Sequence, residues 1–368
     1  VTLIYGSGCS PRSFPQTTFS GRVSSRLHPL VGAFEHILED LQVDGAALAG
    51  RLTGSQIAEG LKVSSLAKER YPGLPVVWGG WHPSIMPEST LKDPNVDIVI
   101  AGQGERKFYQ LAQRLYNSDK PDLRDIPGLS FKENGLLVLN NEFSLEDMNN
   151  FPPAPYDVIN DIEKCFNKTE YGNRTLQYIS SYGCPYRCSF CIEPIVNRRR
   201  WSGLSAERVV DDWEYLYKKY GIDAVAVYDS NFFVDKKRVV DICEGLLKKS
   251  IKLKWGNVNG RIPQLVKYEE EAWELMEAAG LKMILTGSES GEQEILDLIQ
   301  KDANLEDVYK FATLCSKHNI KVLFSYISGI PWSGDAEFNL HMVYREIKSI
   351  LSQVDKLLKI TNRNRFMV

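Results

Sequence analysis

The stretch Gly183-Cys184-Pro185-Tyr186-Arg187-Cys188-Ser189-Phe190-Cys191 carries three cysteines at C-x3-C-x2-C spacing, with an aromatic directly before the third. Iron–sulfur cubanes are held by cysteine thiolates, usually four of them. Three thiolates on one short loop hold three irons and leave the fourth open to another ligand. Two blander assignments compete for these residues. A structural zinc site takes four ligands, commonly as two pairs. Here Cys9, Cys165, Cys243 and Cys315 form no second pair, and no histidine lies near. Disulfides suit an oxidising compartment and an even count, whereas this chain has seven cysteines and no stretch that reads as a signal peptide. Spacing and surroundings together favour the three-thiolate cluster.

At 368 residues the chain has room for two domains of about 100–200 residues each. Hydrophobic residues are 43% and charged residues 25%, ordinary for a globular protein, and a net charge of −3 leaves no nucleic-acid footprint. Arg198-Arg199-Arg200 is the one basic run. It reads as a solvated edge or as a contact for an anionic substrate. No apolar run approaches the roughly 18 residues of a membrane span, and no targeting segment is evident. Reduced thiols point to the cytoplasm. Val1 is not an initiator residue, so the sequence is expected to lack its natural N-terminus.

From about residue 176 onward strands and helices alternate, which predicts a parallel sheet with crossover helices. The strand at 176–180 delivers the cysteine loop. Ser205 caps a helix on which Val209, Val210, Trp213, Leu216 and Tyr217 recur at helical spacing. The strand at 224–228 ends at Asp229. Asp235 opens a helix with Val239, Ile242, Cys243, Leu246 and Leu247 on one face, where Cys243 reads as core. A third strand, 252–258, leads to Arg261, and the helix at 270–279 stops at Gly280. The strand at 283–286 runs into Gly287-Ser288-Glu289-Ser290-Gly291. Asn304 starts a helix bearing Val308, Phe311, Ala312 and Cys315, and the strand at 322–326 closes with Ile327-Ser328-Gly329-Ile330-Pro331. In parallel α/β folds the chemistry sits at C-terminal strand ends, where these polar residues lie. After a helix at 338–347, the remaining residues offer only Ser-Gln-Val-Asp-Lys and a basic, Asn-rich tail. The barrel is therefore expected to lack its last unit, with residues missing after about 347, because a naked sheet edge invites aggregation.

The N-terminal part follows similar logic. A strand at 1–5 runs into Gly6-Ser7-Gly8, and Leu30, Phe34, Ile37 and Leu38 define a helix. A strand at 46–49 leads to Arg51-Leu52-Thr53-Gly54-Ser55-Gln56 and a helix ending near Arg70. The strand at 75–78 ends in Gly79-Gly80-Trp81-His82-Pro83-Ser84. The strand at 97–100 ends in Ala101-Gly102-Gln103-Gly104-Glu105, followed by a helix to about Tyr116. Glycines at strand ends let a flat ligand approach the backbone closely, although such turns alone also fit ordinary loops or a mononucleotide site. Asn134-Gly135 marks a hairpin, and Phe151-Pro-Pro-Ala-Pro-Tyr156 reads as a linker.

The cysteine loop closely resembles the signature of the radical SAM (S-adenosylmethionine) enzymes. The order strand–Gly-Gly-x-His-Pro-Ser, then Val96-Asp97-x-Val99-x-x-Gly102-x-Gly104-Glu105, resembles the cobalamin-binding domain of class B radical SAM proteins. That subgroup includes C-methyltransferases and the anaerobic magnesium-protoporphyrin ester cyclases. The resemblance spans most of the chain. It implies an α/β fold: an N-terminal doubly wound, Rossmann-like cobalamin-binding domain (1–125), a hairpin and linker (126–170), then a partial (β/α)6 radical SAM barrel (171–347), with an incomplete C-terminal segment (348–368).

Roles follow from the same resemblance. Cys184, Cys188 and Cys191 would ligate a 4Fe-4S cluster whose open iron is chelated by the amino and carboxylate groups of SAM. Phe190 and the backbone around Tyr186 would lie near the adenine, Asp229 near the SAM amino group, and Arg261, Ser288 and Glu289 at the carboxylate or ribose. Tyr326 and Ile327 match the fifth-strand segment that borders adenine. Thr53, Gly54, Ser55, Gly79, Gly80, His82, Pro83, Gly102, Gln103, Gly104 and Glu105 would meet cobalamin. The chain has no Asp-x-His-x-x-Gly, and its histidines are His28, His36, His82, His318 and His341. Cobalamin is thus expected base-off, with no protein histidine on cobalt. The family's strand between the first two helices is absent between Asp40 and Leu41, which reads as a second missing segment.

The activity implied is reductive cleavage of SAM to a 5′-deoxyadenosyl radical and methylation of an unactivated carbon through methylcobalamin. Radical cyclisation, oxidation or rearrangement is the alternative, with cobalamin in a non-methylating role or not bound. A sensor without turnover would leave the polar strand ends without a purpose. The partners implied are a low-potential donor such as flavodoxin or ferredoxin and a small-molecule, lipid or peptide substrate. Trp78, Trp81, Trp201 and Trp332 fall near the site loops, where packing competes with contact to a large planar or lipid substrate.

Overall fold

The computed structural model describes residues 2–4, 55–118, 120–140, 142, 144–159, 161–331, 336–361 and 364–367. The chain divides into two units: Val1–Glu146 with Pro152–Phe166 and Ile195–Arg198, and Asp147–Phe151 with Asn167–Pro194 and Arg199–Val368.

The first unit holds β1 (Thr2–Ile4), α1 (Ser55–Arg70), β2 (Val76–Gly79), β3 (Ile98–Ile100), α2 (Glu105–Asn117), β4 (Leu129–Glu133) and β5 (Leu136–Val138). Its sheet order is β1-β2-β3-β4-β5. The pairs β1–β2 and β2–β3 are parallel, and the hairpin joins β3 antiparallel through β4. Strand alternation splits β2 between two cores. Val76 and Trp78 pack with Val63 and Ala67 of α1, while Val77 packs with Ile98, Ile100 and Leu111 of α2. Helices therefore cover both faces, the doubly wound arrangement that sequence alternation anticipates. Asn134 and Gly135 both take positive φ, 51° and 80°, as a two-residue type I′ hairpin requires. The helix on Leu30 to Leu38, the strand at 46–49, the junction of Asp40 with Leu41, and Thr53 and Gly54 lie outside the described residues.

The second unit runs β6 (Thr175–Tyr178), β7 (Ser181–Gly183), β8 (Trp201–Gly203), α3 (Ala206–Tyr220), β9 (Ala224–Val227), α4 (Lys236–Lys248), β10 (Lys254–Gly256), β11 (Val258–Asn259), α5 (Glu270–Ala278), β12 (Met283–Glu289), α6 (Leu305–Lys317), β13 (Lys321–Tyr326), α7 (Ala336–Ile360) and β14 (Arg365–Met367). The helices begin where side chains can satisfy their free N–H groups. Ser205 accepts from Arg208 N and Asp235 from Arg238 N, caps worth about 1 kcal/mol each. The barrel strands pair in parallel as β10-β9-β6 and β11-β12-β13-β14. The predicted third strand, 252–258, proves to be two pieces split at Asn257, whose φ is 54°. The left-handed residue interrupts the strand at this point.

The expectation that the barrel stops short is overturned. The last helix continues to Ile360 rather than ending near 347, and Arg365–Met367 pairs in parallel with β13 as a sixth strand. Met342, Ile350 and Leu357 are buried, while Leu340, Tyr344, Leu351 and Leu358 are exposed. The helix thus carries apolar residues on two faces, which blurs the single stripe that would have announced its length. Phe366 stacks on Phe324, with ring centroids 5.9 Å apart, so one aromatic anchors the three-residue strand. Trp213, Trp255, Trp273, Phe232 and Phe311 are fully buried in this unit.

Candidate functional site

The ribbon of β7 and β8 leads into the cysteine loop, and two buried charges that meet on Ser180 fix its start. Asp229, at the end of β9, is wholly buried. Its Oδ1 accepts from Ser180 N at 2.6 Å, and its Oδ2 accepts from the Ser180 and Ser181 hydroxyls at 2.6 Å each. Arg238 of α4 donates to Ser180 Oγ at 2.7 Å and to the Leu204 carbonyl at 2.6 Å. Its guanidinium lies 5.1 Å from the Phe232 ring centre and 5.6 Å from that of Trp201. Burial pushes the Asp229 carboxyl up, against the pull of Arg238 and the three donors. This carboxylate is engaged inside the barrel wall, while its carbonyl accepts from Asn259 Nδ2 at 2.8 Å.

The loop itself is tied down at several points. Cys191 N donates to Cys188 O at 3.1 Å and Ser189 N to Ile299 O at 2.9 Å. Arg187 reaches Asp302 at 3.3 Å, and Arg199 Nε donates to Pro185 O at 3.4 Å. The three thiols are free and half-buried. Burial pushes those of Cys184 and Cys191 up, with the Tyr186 and Glu193 backbone N–H groups pulling the other way. Ligation, which takes the thiolate, would release their protons. Among the described residues no three His, Cys, Asp or Glu side chains converge on one ion. A cubane offers each thiolate a different iron, and three thiols on one loop are a donor set that fits it.

Arg261, just before the short helical turn Ile262–Leu265, stacks 4.0 Å above the Tyr186 ring. Its Nε and Nη2 are buried without a hydrogen-bond partner, with Asp302 Oδ2 3.6 Å from Nη2. Orphaned buried donors are rare in folded proteins, and two on one guanidinium await a planar acceptor such as a carboxylate.

Alternation along β12 separates the remaining candidates. Leu285 and Leu323 pack with Tyr171, Met283 and Ala224 of β9, a strand of the other sheet, so these side chains face the barrel interior. Gly287, two residues on, faces the same way. Glu289 follows a register shift, takes φ 62°, and accepts Ile327 N on its carbonyl at 2.8 Å. Its Oε1 accepts from Lys301 Nζ at 2.5 Å, and both side chains are buried. Ser288 and Tyr326 point the other way. Both hydroxyls donate to Gln353 Oε1 of α7 at 2.7 Å. Phe190 is exposed, with Lys301 Nζ 5.7 Å from its ring centre.

In the first unit, a cleft opens at the ends of β2 and β3, lined by Val77, Gly79, Gly80, Ile100, Gly102, Gly104, Glu105 and Phe108. Gly80 and Gly102 take φ of 96° and 71°, which a side chain would strain. Ser84 Oγ donates to Gly80 O at 2.6 Å and accepts from Gly102 N at 2.8 Å, tying the two turns together. Beneath them Lys107 Nζ donates to Ala101 O at 2.6 Å, and burial pushes this amine down to about 8. A glycine floor between apolar walls fits the flat face of a macrocycle. His82, Pro83 and Gln103 belong to the same turns but not to the lining. His82 O accepts from Met86 N, burial lowers the imidazole, and Gln103 Oε1 accepts from Glu146 N at 2.9 Å. Ser55 begins α1. Of the tryptophans, Trp78 is buried with Nε1 on Ser64 Oγ, Trp201 Nε1 donates to Asn231 O, and Trp332 lies outside the described residues.

Sequence reasoning missed Lys107, Arg238, Lys301 and Gln353. Each sits on a predicted helix or loop, where a polar residue reads as solvent-facing. Only tertiary packing reveals the partner.

Two parallel sheets of a partial barrel, with three thiols on the loop that follows β6 and β7, define a radical SAM domain. The family model of the Radical SAM superfamily matches residues 178–342, and that of the B12 binding domain matches residues 28–112. The chain belongs to the radical SAM superfamily, among the members that carry a B12-binding domain. It is 29% identical over 76% of its length to an uncharacterized methyltransferase, PH0819, of Pyrococcus horikoshii, spanning 59% of that protein. It is 26% identical over 84% of its length to the anaerobic magnesium-protoporphyrin IX monomethyl ester cyclase of Cereibacter sphaeroides, spanning 50%. The chain thus spans about half the length of these curated relatives. The radical SAM methyltransferase TsrM of Kitasatospora setae shares the fold, with a TM-score of 0.65 at 19% identity, over 85% of this chain and 58% of that one. Among the described residues no helix is long and apolar enough to cross a membrane.

Proposed function

We propose that this chain is the catalytic part of a cobalamin-dependent radical SAM enzyme that methylates an unactivated carbon. The observation that carries the proposal is the pairing, in one chain, of a three-thiol loop at a barrel mouth with a glycine-floored cleft at strand ends. Bound there, the cluster and SAM supply a carbon-centred radical that abstracts hydrogen, and cobalamin supplies the methyl group.

The residues divide the remaining work. Cys184, Cys188 and Cys191 hold the cluster, and their loop is fixed from below by Asp229 and Arg238. Arg261, whose Nε and Nη2 make no hydrogen bond, would receive the SAM carboxylate. Phe190 and Ile327 border the adenine, and Glu289 meets the ribose. The turns Gly79–Gly80 and Gly102–Gly104 would floor the macrocycle, and no histidine is among the residues that line the cleft. A low-potential flavodoxin or ferredoxin supplies the electron, and the substrate is a small molecule, lipid or peptide. Cyclisation, favoured by the likeness to the protoporphyrin ester cyclase, is the second reading.

Anaerobic reconstitution decides between them. The protein should retain about four irons, convert SAM to 5′-deoxyadenosine when reduced, and form S-adenosylhomocysteine alongside. 5′-Deoxyadenosine without S-adenosylhomocysteine would favour cyclisation, and no SAM cleavage would refute the radical reading. Cys188→Ala should abolish SAM cleavage yet still bind hydroxocobalamin, because the cleft lies in the other unit.

A further inference from the structure

Glu289 adopts a backbone conformation that a non-glycine residue takes only at a cost of about 1–3 kcal/mol, so its surroundings must hold it there. Two features do so. A Cβ built on Gly287 would fall 1.7 Å from Glu289 Oε1 and 2.8 Å from Lys301 Nζ. The missing side chain of Gly287 is therefore the space in which the carboxylate and the amine meet. Lys301 itself lies between Gln300 and Asp302, both left-handed at φ 53° and 50°. The segment is strapped to the cysteine loop on each side: Ile299 O takes Ser189 N at 2.9 Å, and Asp302 takes Arg187 at 3.3 Å. The amine of Lys301 thus touches one group from the nucleoside-facing strand and lies 5.7 Å from the ring centre of Phe190, from the metal-facing loop. Glu289 Oε1 is taken by the amine, and among the described residues nothing bonds Oε2.

We infer that Lys301 is a positioning residue. It folds the Glu289 carboxylate over Gly287, so that Oε2 is presented to the ribose hydroxyls of the nucleoside cosubstrate, and it ties that carboxylate to the cysteine loop. The inference rests on the reading of the mouth as a SAM site. The pair alone would be a buried ion pair of uncertain benefit to stability. Its placement between two ligand-facing elements, over a glycine that makes room for it, gives it a purpose beyond folding.

The test compares S-adenosylhomocysteine with its 2′-deoxy analogue by calorimetry on reconstituted protein, so that turnover is not required. Wild type should prefer the ribose form by about tenfold or more, the worth of a hydrogen bond to a charged group. Lys301→Met should bring the preference to within about twofold, whatever it does to the melting temperature. Gly287→Ala removes neither charge but fills the space in which the carboxylate and the amine meet, and should give the same loss. Glu289→Gln/Lys301→Met removes both charges and should refold a chain that the single change unsettles, without restoring the preference. A ribose preference retained in Lys301→Met or Gly287→Ala overturns the inference. Wild type that binds neither nucleoside refutes the SAM reading instead.

Discussion

At the barrel mouth, Glu289 and Lys301 are buried as an ion pair, and Asp229 and Arg238 are buried as opposite charges bridged by the Ser180 hydroxyl. The cleft at the ends of β2 and β3 is floored by glycine and braced by one hydroxyl, Ser84, and one amine, Lys107. Both sites sit where parallel strands end, and both fix loops. They differ in what enforces position. A buried ion pair gains little over apolar packing, but losing one partner strands a charge. Such a pair punishes disorder steeply, which suits a loop that must hold three sulfurs in register. A glycine floor enforces nothing by itself; it gives access, and its bracing can be light.

Arg238→Met probes the steep side of this contrast. It leaves Asp229 buried without its cation and should cost about 3–5 kcal/mol. The measurement is urea unfolding followed by tryptophan fluorescence, which reports on Trp213, Trp255 and Trp273 of the barrel. Asp229→Asn/Arg238→Met should recover part of the loss. A cost below about 1 kcal/mol would mean that the ribbon is held by its backbone pairing alone.

The cleft should betray its amine through pH. Lys107 titrates near 8 when folded and near 10.4 when unfolded. Between those values the unfolded chain keeps a proton that the folded chain has released, so stability rises with pH across that window, by roughly 3 kcal/mol. Below pH 8 both states carry the proton and the penalty is constant. Subtracting the profile of Lys107→Met from that of wild type isolates the rise; parallel profiles would refute it. The smallest effect belongs to Ser84→Ala. The Gly102 amide loses its acceptor and should exchange about fivefold faster, for a loss near 1 kcal/mol, while barrel amides are unmoved. Exchange that also quickens in the barrel would dissolve the distinction between the two sites.

Much of this arrangement is legible in sequence where the determinant is local. The spacing of Cys184, Cys188 and Cys191 survives any packing, and Ser205, Asp235 and Asn134-Gly135 announce their caps and turn. What stays hidden depends on distance in the fold. Gln353 collects Ser288 and Tyr326 from 65 and 27 residues away, so two hydroxyls expected at a ligand lie in the helix layer. Asp229 stands at the strand end where sequence puts it, but its carboxylate turns inward to Ser180 and Ser181. The sixth strand escapes because Arg365–Met367 is too short to show alternation, and its sheet partner, not its own pattern, makes it a strand.

The break at Asn257 has a mechanical consequence. It leaves the barrel wall as two panels, β10-β9-β6 and β11-β12-β13-β14, joined across the gap by the isolated bridge of Trp255 to Leu281. The sulfurs hang from the first panel, while Arg261 and Glu289 hang from the second. A small shear at that seam would change the spacing between the three sulfurs and the side chains of Arg261 and Glu289 without breaking any hydrogen bond within either panel. The segment Ile299–Asp302, bonded to the cysteine loop at Ser189 and Arg187, ties the two panels together beyond that bridge.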